Sequence, residues 1–210
     1  MLVSASFLDS KQIPFDLTKL NETDVDYIHV DVMDGKYVKN KSLPFRELKN
    51  IYKYTSKRLD VHLMVKNPLK YIDDYATLNT EYITIHLDVS DDVLKTIKKI
   101  KSYSIKAGIA LNPDTDIKDL IPYLPYIDLI LVMGVIPGKG GQKFIDSTID
   151  KLKELMVLKK EYPTLSFKIS VDGGINKDTR GKIKDMADIV VSGNYILTSH
   201  NFQQTIDILR

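Results

Sequence analysis

Tyr27-Ile28-His29-Val30-Asp31-Val32-Met33-Asp34-Gly35 reads as a buried strand with ionisable groups on one face. Side chains alternate along a strand, so His29, Asp31 and Met33 point one way while Ile28, Val30 and Val32 point the other. An imidazole and a carboxylate left unpaired in an apolar interior are each costly, and a divalent cation compensates both at once. Two further segments have the same character. In 59–65 the alternation puts Asp60, His62 and Met64 on one face, and 167–171 runs into Asp172 opposite the Ile169 and Val171 face. His29, Asp31, His62 and Asp172 therefore form a set of two imidazoles and two carboxylates suited to one divalent ion.

Outward from these three segments, short β-branched runs alternate with longer amphipathic, lysine-rich ones. The strands are expected at 2–6, 26–33, 59–65, 82–87, 106–111, 128–132, 167–171 and 188–191, which makes eight. Helices are expected at 15–20, 45–54, 68–78, 92–101, 116–123, 147–160, 176–184 and 198–209, with start signals such as Pro68 after Asn67 and Asp91-Asp92 before Val93. Eight alternations without a low-complexity linker predict one domain over 1–210, a closed (β/α)8 barrel with its site at the C-terminal strand ends. Asp31, His62 and Asp172 all fall late in their strands. A doubly wound open sheet competes, but gives no reason for strands two, three and seven to converge.

Composition narrows the function classes. The chain has 210 residues, 43% hydrophobic and 28% charged, enough for a substantial core. It contains no cysteine, which excludes disulfides, thiolate ligands and cysteine nucleophiles, so a metal must be held by nitrogen and oxygen. Thirty basic and 28 acidic residues are well mixed and give a net charge of +2, so no basic face for nucleic acid is expected. The longest apolar runs, such as 129–135, fall far short of the ~20 residues that span a bilayer. No charged segment precedes an apolar one at the start, and a cytoplasmic protein without membrane partners is expected.

Glycines cluster after strands six, seven and eight, in Gly134 to Gly141, in Gly173-Gly174 and at Gly193 before Asn194. Glycine lets backbone N–H groups approach an anion and form a concave nest. One such loop is no more than a tight turn. Three on neighbouring strands predict a phosphate site, where barrel enzymes often place one.

His29-Val30-Asp31-Val32-Met33-Asp34-Gly35, His62-Leu63-Met64-Val65, Ala110-Leu111-Asn112-Pro113, Leu131-Val132-Met133, Pro137-Gly138-Lys139-Gly140-Gly141-Gln142 and Val171-Asp172-Gly173-Gly174-Ile175-Asn176 together resemble the ordered motif set of ribulose-phosphate 3-epimerases. The resemblance covers residues 6–193. It implies a TIM barrel of the ribulose-phosphate-binding type that interconverts D-ribulose 5-phosphate and D-xylulose 5-phosphate in the pentose phosphate pathway. It also implies one divalent ion per chain, zinc foremost and otherwise iron, manganese or cobalt, and a dimeric or hexameric assembly. By matching motif positions, His29, Asp31, His62 and Asp172 would hold the metal, and Asp31 and Asp172 would be the acid/base pair. Ser6 and His62 would lie near the sugar, and Met33, Met64 and Met133 would line the substrate face. Gly173, Gly174, Gly193 and Asn194 match phosphate-binding positions, with Gly138, Gly140 and Gly141 in the adjoining loop.

The chain departs from the family pattern in places. Lys139 stands where the usual Pro-Gly-Phe-Gly-Gly loop has its aromatic, Ile136 where Asn is common, Lys39 where proline is usual, and Asn194 where Ser or Thr is common. Phe7 to Lys11 does not reproduce the family's small-residue/Asp pattern. None of these touches the metal set, so they bear on affinity and substrate preference.

The implied chemistry is physically coherent. Inverting a carbon beside a carbonyl removes a proton from one face and returns one to the other, which needs two flanking acid/base groups. A carboxylate is a weak base for such a proton, and a cation near the developing enediolate supplies the missing stabilisation. Two other functions are weighed. A sister enzyme acting on D-allulose 6-phosphate would share the metal set, whereas a non-catalytic phosphosugar-binding barrel would need a broken acid/base pair, and both Asp31 and Asp172 are present. His86, late in strand four, is expected to orient a ligand or contact the enediolate.

Overall fold

The computed structural model describes residues 1–89 and 91–210. Its strands are β1 (Leu2–Ser6), β2 (Tyr27–Met33), β3 (Arg58–Met64), β4 (Thr80–His86), β5 (Lys106–Leu111), β6 (Leu129–Met133), β7 (Lys168–Asp172) and β8 (Ile189–Ser192). They form a closed barrel in chain order, and β8 returns parallel to β1 with Leu2 opposite Ile189 and Ala5 opposite Ser192. This is the (β/α)8 barrel that the alternation predicts. Strand limits agree with the sequence reading to within two residues, because a period of two is read directly from the hydrophobic pattern.

The helices are α1 (Ile13–Asn21), α2 (Phe45–Leu48), α3 (Ile72–Tyr75), α4 (Val93–Lys101), α5 (Thr148–Glu161), α6 (Lys177–Ile183), α7 (Asn194–Leu197) and α8 (Phe202–Leu209). One start signal acts as read: the Asp92 side chain accepts from the Lys95 N–H at 2.9 Å at the head of α4. Asn176, not read as a cap, forms a reciprocal capping box with Thr179 ahead of α6.

Other expected helices are corrected. The segment at 116–123 is a 3-10 helix, Ile117–Tyr126, because Pro122 and Pro125 lack the N–H donors an α-helix needs. Residues 68–78 split into a 3-10 turn, Pro68–Lys70, and α3, while the second half of 45–54 is the 3-10 helix Lys49–Lys53. The run at 198–209 begins only at Phe202. There the Asn201 side chain caps α8 by accepting from the Gln204 N–H at 3.0 Å, and α7 forms separately before it. Among the described residues, no helix is long and apolar enough to cross a membrane.

The two faces of each strand meet different environments. Val30, Val61, Ile83, Ile109, Ile130 and Ile169 are fully buried in one cluster with helix residues such as Leu17, Ile97, Leu152 and Ile206. Burying each such side chain contributes about 1.5–3 kcal/mol, so this outer layer carries most of the driving force. The opposite faces fill the barrel. At its N-terminal end Tyr82, Leu129 and Ile189 pack together with Leu2 and Tyr27. Farther along the strands the interior turns polar, with Ser4, Asp60, Thr84 and Ser170 all buried.

A repeated device closes the N-terminal rim. Asp26, Asp128 and Asp188 stand just before β2, β6 and β8. Their carboxylates accept from the N–H groups of Val3, Ala107 and Ile169 on the preceding strands at 2.9, 2.9 and 2.8 Å. Each also meets a cation: Arg210 at 3.1 Å, Lys101 at 3.0 Å and Lys159 at 3.2 Å. Neighbouring strands are thus tied at the end away from the site, where a barrel's stabilising contacts belong. Asp128→Ala should cost about 1–3 kcal/mol, read as a lowered urea midpoint at constant m value, because it strands the Ala107 N–H. Lys101→Ala removes only a half-exposed ion pair and should cost under about 1 kcal/mol. Equal losses would show that the rim acts through charge and not through the backbone bond.

Candidate metal centre and anion pocket

Strand register brings the ionisable residues together. In the β2–β3 pair Asp31 lies opposite His62 and His29 opposite Asp60, and in the β6–β7 pair Met133 lies opposite Asp172. One ligand atom from each of His29, Asp31, His62 and Asp172 falls within 4.8 Å of all the others. His29 Nε2 is 3.5 Å from Asp31 Oδ1 and 3.8 Å from Asp172 Oδ2, and His62 Nδ1 is 3.3 and 3.7 Å from the same oxygens. Both nitrogens are buried without a hydrogen-bond partner among the described residues.

Orphaned buried polar atoms are costly, and four N/O donors facing one point are the arrangement a divalent cation satisfies. The spacing fits as well. Tetrahedral ligands on bonds of ~2.1 Å sit about 3.4 Å apart, near the separations found here. The four residues could hold a metal ion.

Buried neighbours orient these groups. His29 Nδ1 is 2.8 Å from Asp60 Oδ2, which also accepts from the Ser4 hydroxyl at 2.8 Å. The Ser6 hydroxyl donates to Asp31 Oδ2 at 3.0 Å, and His62 Nε2 is 2.9 Å from His86 Nε2. Asp60 and Ser4 have roles that sequence reasoning missed. Alternation had placed Asp60 on the His62 face of β3, but only the register names His29 as its partner.

Electrostatics separate the two carboxylates. Burial would raise Asp31, yet His29 and His62 outweigh it and hold the carboxyl well below its ordinary range. At Asp172 burial wins. With the charge of Asp31 added, it pushes this group up to about 6 against the pull of His29 and His62. Burial lowers the proton affinity of His29, but Asp31 and Asp60 reverse that and raise it. His86 is held below the ordinary histidine value by burial and by His62.

A cavity of about 620 Å³ lies over the cluster. Of the residues read as substrate contacts, Ser6, Asp172, Met133, Gly138, Gly140, Gly141, Gly173, Gly174, Gly193 and Asn194 line it, as do Asp31 and Met64. Met33 and His62 are not on its wall; both are buried. Gly174 has φ +68°, and a Cβ there would fall 2.5 Å from the Phe144 backbone nitrogen, so this turn admits only glycine.

The loop after β6 is pinned by side chains. Asn40 donates to the Gly138 carbonyl at 2.8 Å, and Gln142 donates to the Ile136 and Lys139 carbonyls at 2.7 and 2.9 Å. Lys139 and Asp9, both departures from the family pattern, also line the cavity.

The model of the ribulose-phosphate 3 epimerase family matches residues 2–197. The chain belongs to the ribulose-phosphate 3-epimerase family. This epimerase is 36% identical over 211 residues to the ribulose-phosphate 3-epimerase of Helicobacter pylori (strain J99), covering 100% of this chain and 94% of that one. It is 34% identical over 213 residues to the enzyme of the same name from Escherichia coli (strain K12), with the same coverage.

Solved structures share the barrel. A tryptophan synthase chain from Mycobacterium tuberculosis superposes with a TM-score of 0.70 at 13% identity, covering 99% of this chain and 90% of its own. A 3-hexulose-6-phosphate synthase from Salmonella typhimurium gives 0.66 at 18% identity, covering 100% and 96%. The family resemblance read from the motifs is thus borne out, and the epimerase is an isomerase acting on a carbohydrate.

Loss of a partner that orients a metal-binding imidazole typically lowers metal affinity 10–100-fold. The epimerase variant Asp60→Asn should show that loss in zinc titrations against a competing chelator. Unchanged affinity would mean that Asp60 serves only to satisfy Ser4 and His29 within the core.

Proposed function

We propose that the enzyme interconverts D-ribulose 5-phosphate and D-xylulose 5-phosphate, the epimerisation step of the pentose phosphate pathway, by removing and returning the proton at C3. The observation that carries this reading is the convergence of His29, Asp31, His62 and Asp172 within 4.8 Å under a cavity that ends in glycine loops. Residues 1–210 would act as a single catalytic domain in the cytoplasm, as a dimer or hexamer of identical chains.

Each residue has a task in this scheme. The backbone around Gly173, Gly174, Gly193 and Asn194 binds the substrate phosphate, and Gly138, Gly140 and Gly141 form the covering loop. Grip on this remote group supplies orientation and binding energy for the reacting end. Ser6, bonded to Asp31 at 3.0 Å, aims that carboxylate and stands close to the sugar. Met133 and Met64 form an apolar wall that keeps water from the reacting carbon. Met33 and His62 support this surface from beneath.

Asp31 and Asp172 come from strands β2 and β7, so the substrate's C3 would lie between them. One carboxylate accepts the C3 proton, charge moves to the carbonyl oxygen as an enediolate, and the other returns a proton to the opposite face. A divalent cation held by His29, Asp31, His62 and Asp172, zinc foremost and otherwise iron, manganese or cobalt, would supply the positive charge that stabilises the enediolate oxygens. Lys139 adds a flexible cation to the cavity wall, where it would approach the phosphate.

Asp172→Asn keeps the shape and removes the proton chemistry. Net epimerisation should fall by at least ~10²–10⁴-fold, with zinc content measured in parallel. Solvent deuterium should still enter C3 from the epimer that Asp31 deprotonates and not from the other. Near-parental turnover with zinc bound would remove Asp172 from the mechanism. Faster turnover of D-allulose 6-phosphate than of D-ribulose 5-phosphate by the parent enzyme would replace the pentose assignment with the hexose one.

A further inference from the structure

The two imidazoles of the cluster are backed by different chemistry. His29 leans on a carboxylate, Asp60 Oδ2, at 2.8 Å, whereas His62 leans on a second imidazole, with Nε2 to Nε2 at 2.9 Å from His86. His62 and His86 are both fully buried. Two ring nitrogens so close share one hydrogen, and one ring must donate while the other accepts. The opposite nitrogen of His62 decides which. Its Nδ1 faces Asp31 and Asp172 at 3.3 and 3.7 Å and has no hydrogen-bond partner among the described residues. A neutral imidazole that offers a lone pair at Nδ1 carries its hydrogen at Nε2. His62 is therefore the donor, His86 Nε2 the acceptor, and the hydrogen of His86 sits on its own Nδ1.

We propose that His86 is a positioning residue: it fixes the Nε2–H tautomer of His62 and holds that ring with Nδ1 aimed into the cluster. This role rests on the reading of the four-residue cluster as a divalent-cation site. Packing alone does not account for a histidine here. His86 Nδ1 is itself buried without a partner among the described residues, so leucine or phenylalanine would fill the space without burying two polar atoms.

The surroundings hold the acceptor rigidly. His86 ends β4, and its neighbour in the β5 register is the small Ala110. The Tyr37 ring lies against it at 4.7 Å between centroids, tilted by 36°. Tyr37 is fixed in turn: its hydroxyl donates to Asp88 at 2.8 Å and accepts from Asn112 at 2.9 Å, and Lys151 donates to the Asn112 carbonyl at 2.8 Å. A chain of contacts thus runs from α5 to the cluster. An imidazole in this place also adds no charge. Asp31, Asp60 and Asp172 already bring three carboxylates to the cluster. A neutral acceptor behind His62 leaves more of a dication's field for the substrate.

The test combines zinc affinity with tautomer assignment in full-length protein. Zinc titrated against a competing chelator should bind His86→Leu about 10–100-fold more weakly than the parent, and His86→Gln within about threefold of it, because the amide oxygen still accepts from His62. In the zinc-loaded parent labelled with 15N-histidine, His62 should report Nε2–H and His86 Nδ1–H. The proposal is overturned if His86→Leu binds zinc as tightly as the parent, if His86→Gln is as weak as His86→Leu, or if His86 carries its hydrogen on Nε2. Should His86→Leu fail to fold, the tautomer measurement on the parent decides alone. A parent that binds no zinc would overturn both this role and the cation reading beneath it, whereas parental affinity in His86→Leu would overturn the positioning role only.

Discussion

The register between β2 and β3 is the constraint on which the site depends. With Asp31 opposite His62 and His29 opposite Asp60, four ionisable side chains are forced into the barrel interior on adjacent strands. A slip of one residue would turn one strand's set outward into the apolar layer beneath the helices. The cost of burying those groups there would be prohibitive, so register and polar interior specify each other. β7 then supplies Asp172 from farther round the barrel, closing the cluster without any rearrangement of the first two strands.

Burying Asp60, His29 and His62, and half-burying Asp31 and Asp172 beside them, weakens the fold unless each finds a partner. Hydroxyls and imidazoles meet part of that demand: Ser4 on Asp60, Ser6 on Asp31, and His86 on His62. Among the described residues His29 Nε2 and His62 Nδ1 remain unpartnered, and they face the same two oxygens. These two nitrogens lie in the cluster beneath the cavity, toward the C-terminal end of the barrel. The opposite end is tied down by Asp26, Asp128 and Asp188, whose carboxylates each hold a backbone N–H of the strand before. Stability and function thus occupy opposite ends of the same strands.

Legibility followed the strength of the local signal. The strands were readable because alternation in Tyr27 to Met33 or Arg58 to Met64 admits one partition into faces. The helical segments were less so. Pro122 and Pro125 sit within a run of helical composition, yet they deny the chain the donors an α-helix uses, and Ile117–Tyr126 tightens to 3-10 geometry. Around 198–209 the expected helix starts four residues late: Thr198 to Asn201 are all polar, so α7 ends at Leu197 and α8 begins at Phe202, where Asn201 can cap it. Asp60 is the instructive omission at the site: its face was evident, but its partner across the strand was not.

From the sequence alone came the barrel, the set of His29, Asp31, His62 and Asp172, the glycine loops over them and, through the order of the motifs, the family. These are properties of period, residue type and order, which a linear chain carries in full. The tertiary structure alone decided which atoms face one another. It assigned Asp60 to His29 and His86 to His62, put Met33 and His62 off the cavity wall while Met64 lines it, and brought Lys139 and Asp9 to that wall. The physical reason is that hydrogen bonds and ligand geometry depend on distances of a few tenths of an ångström. Those distances are set by strand register and barrel closure, in which residues far apart along the chain come to share one small volume.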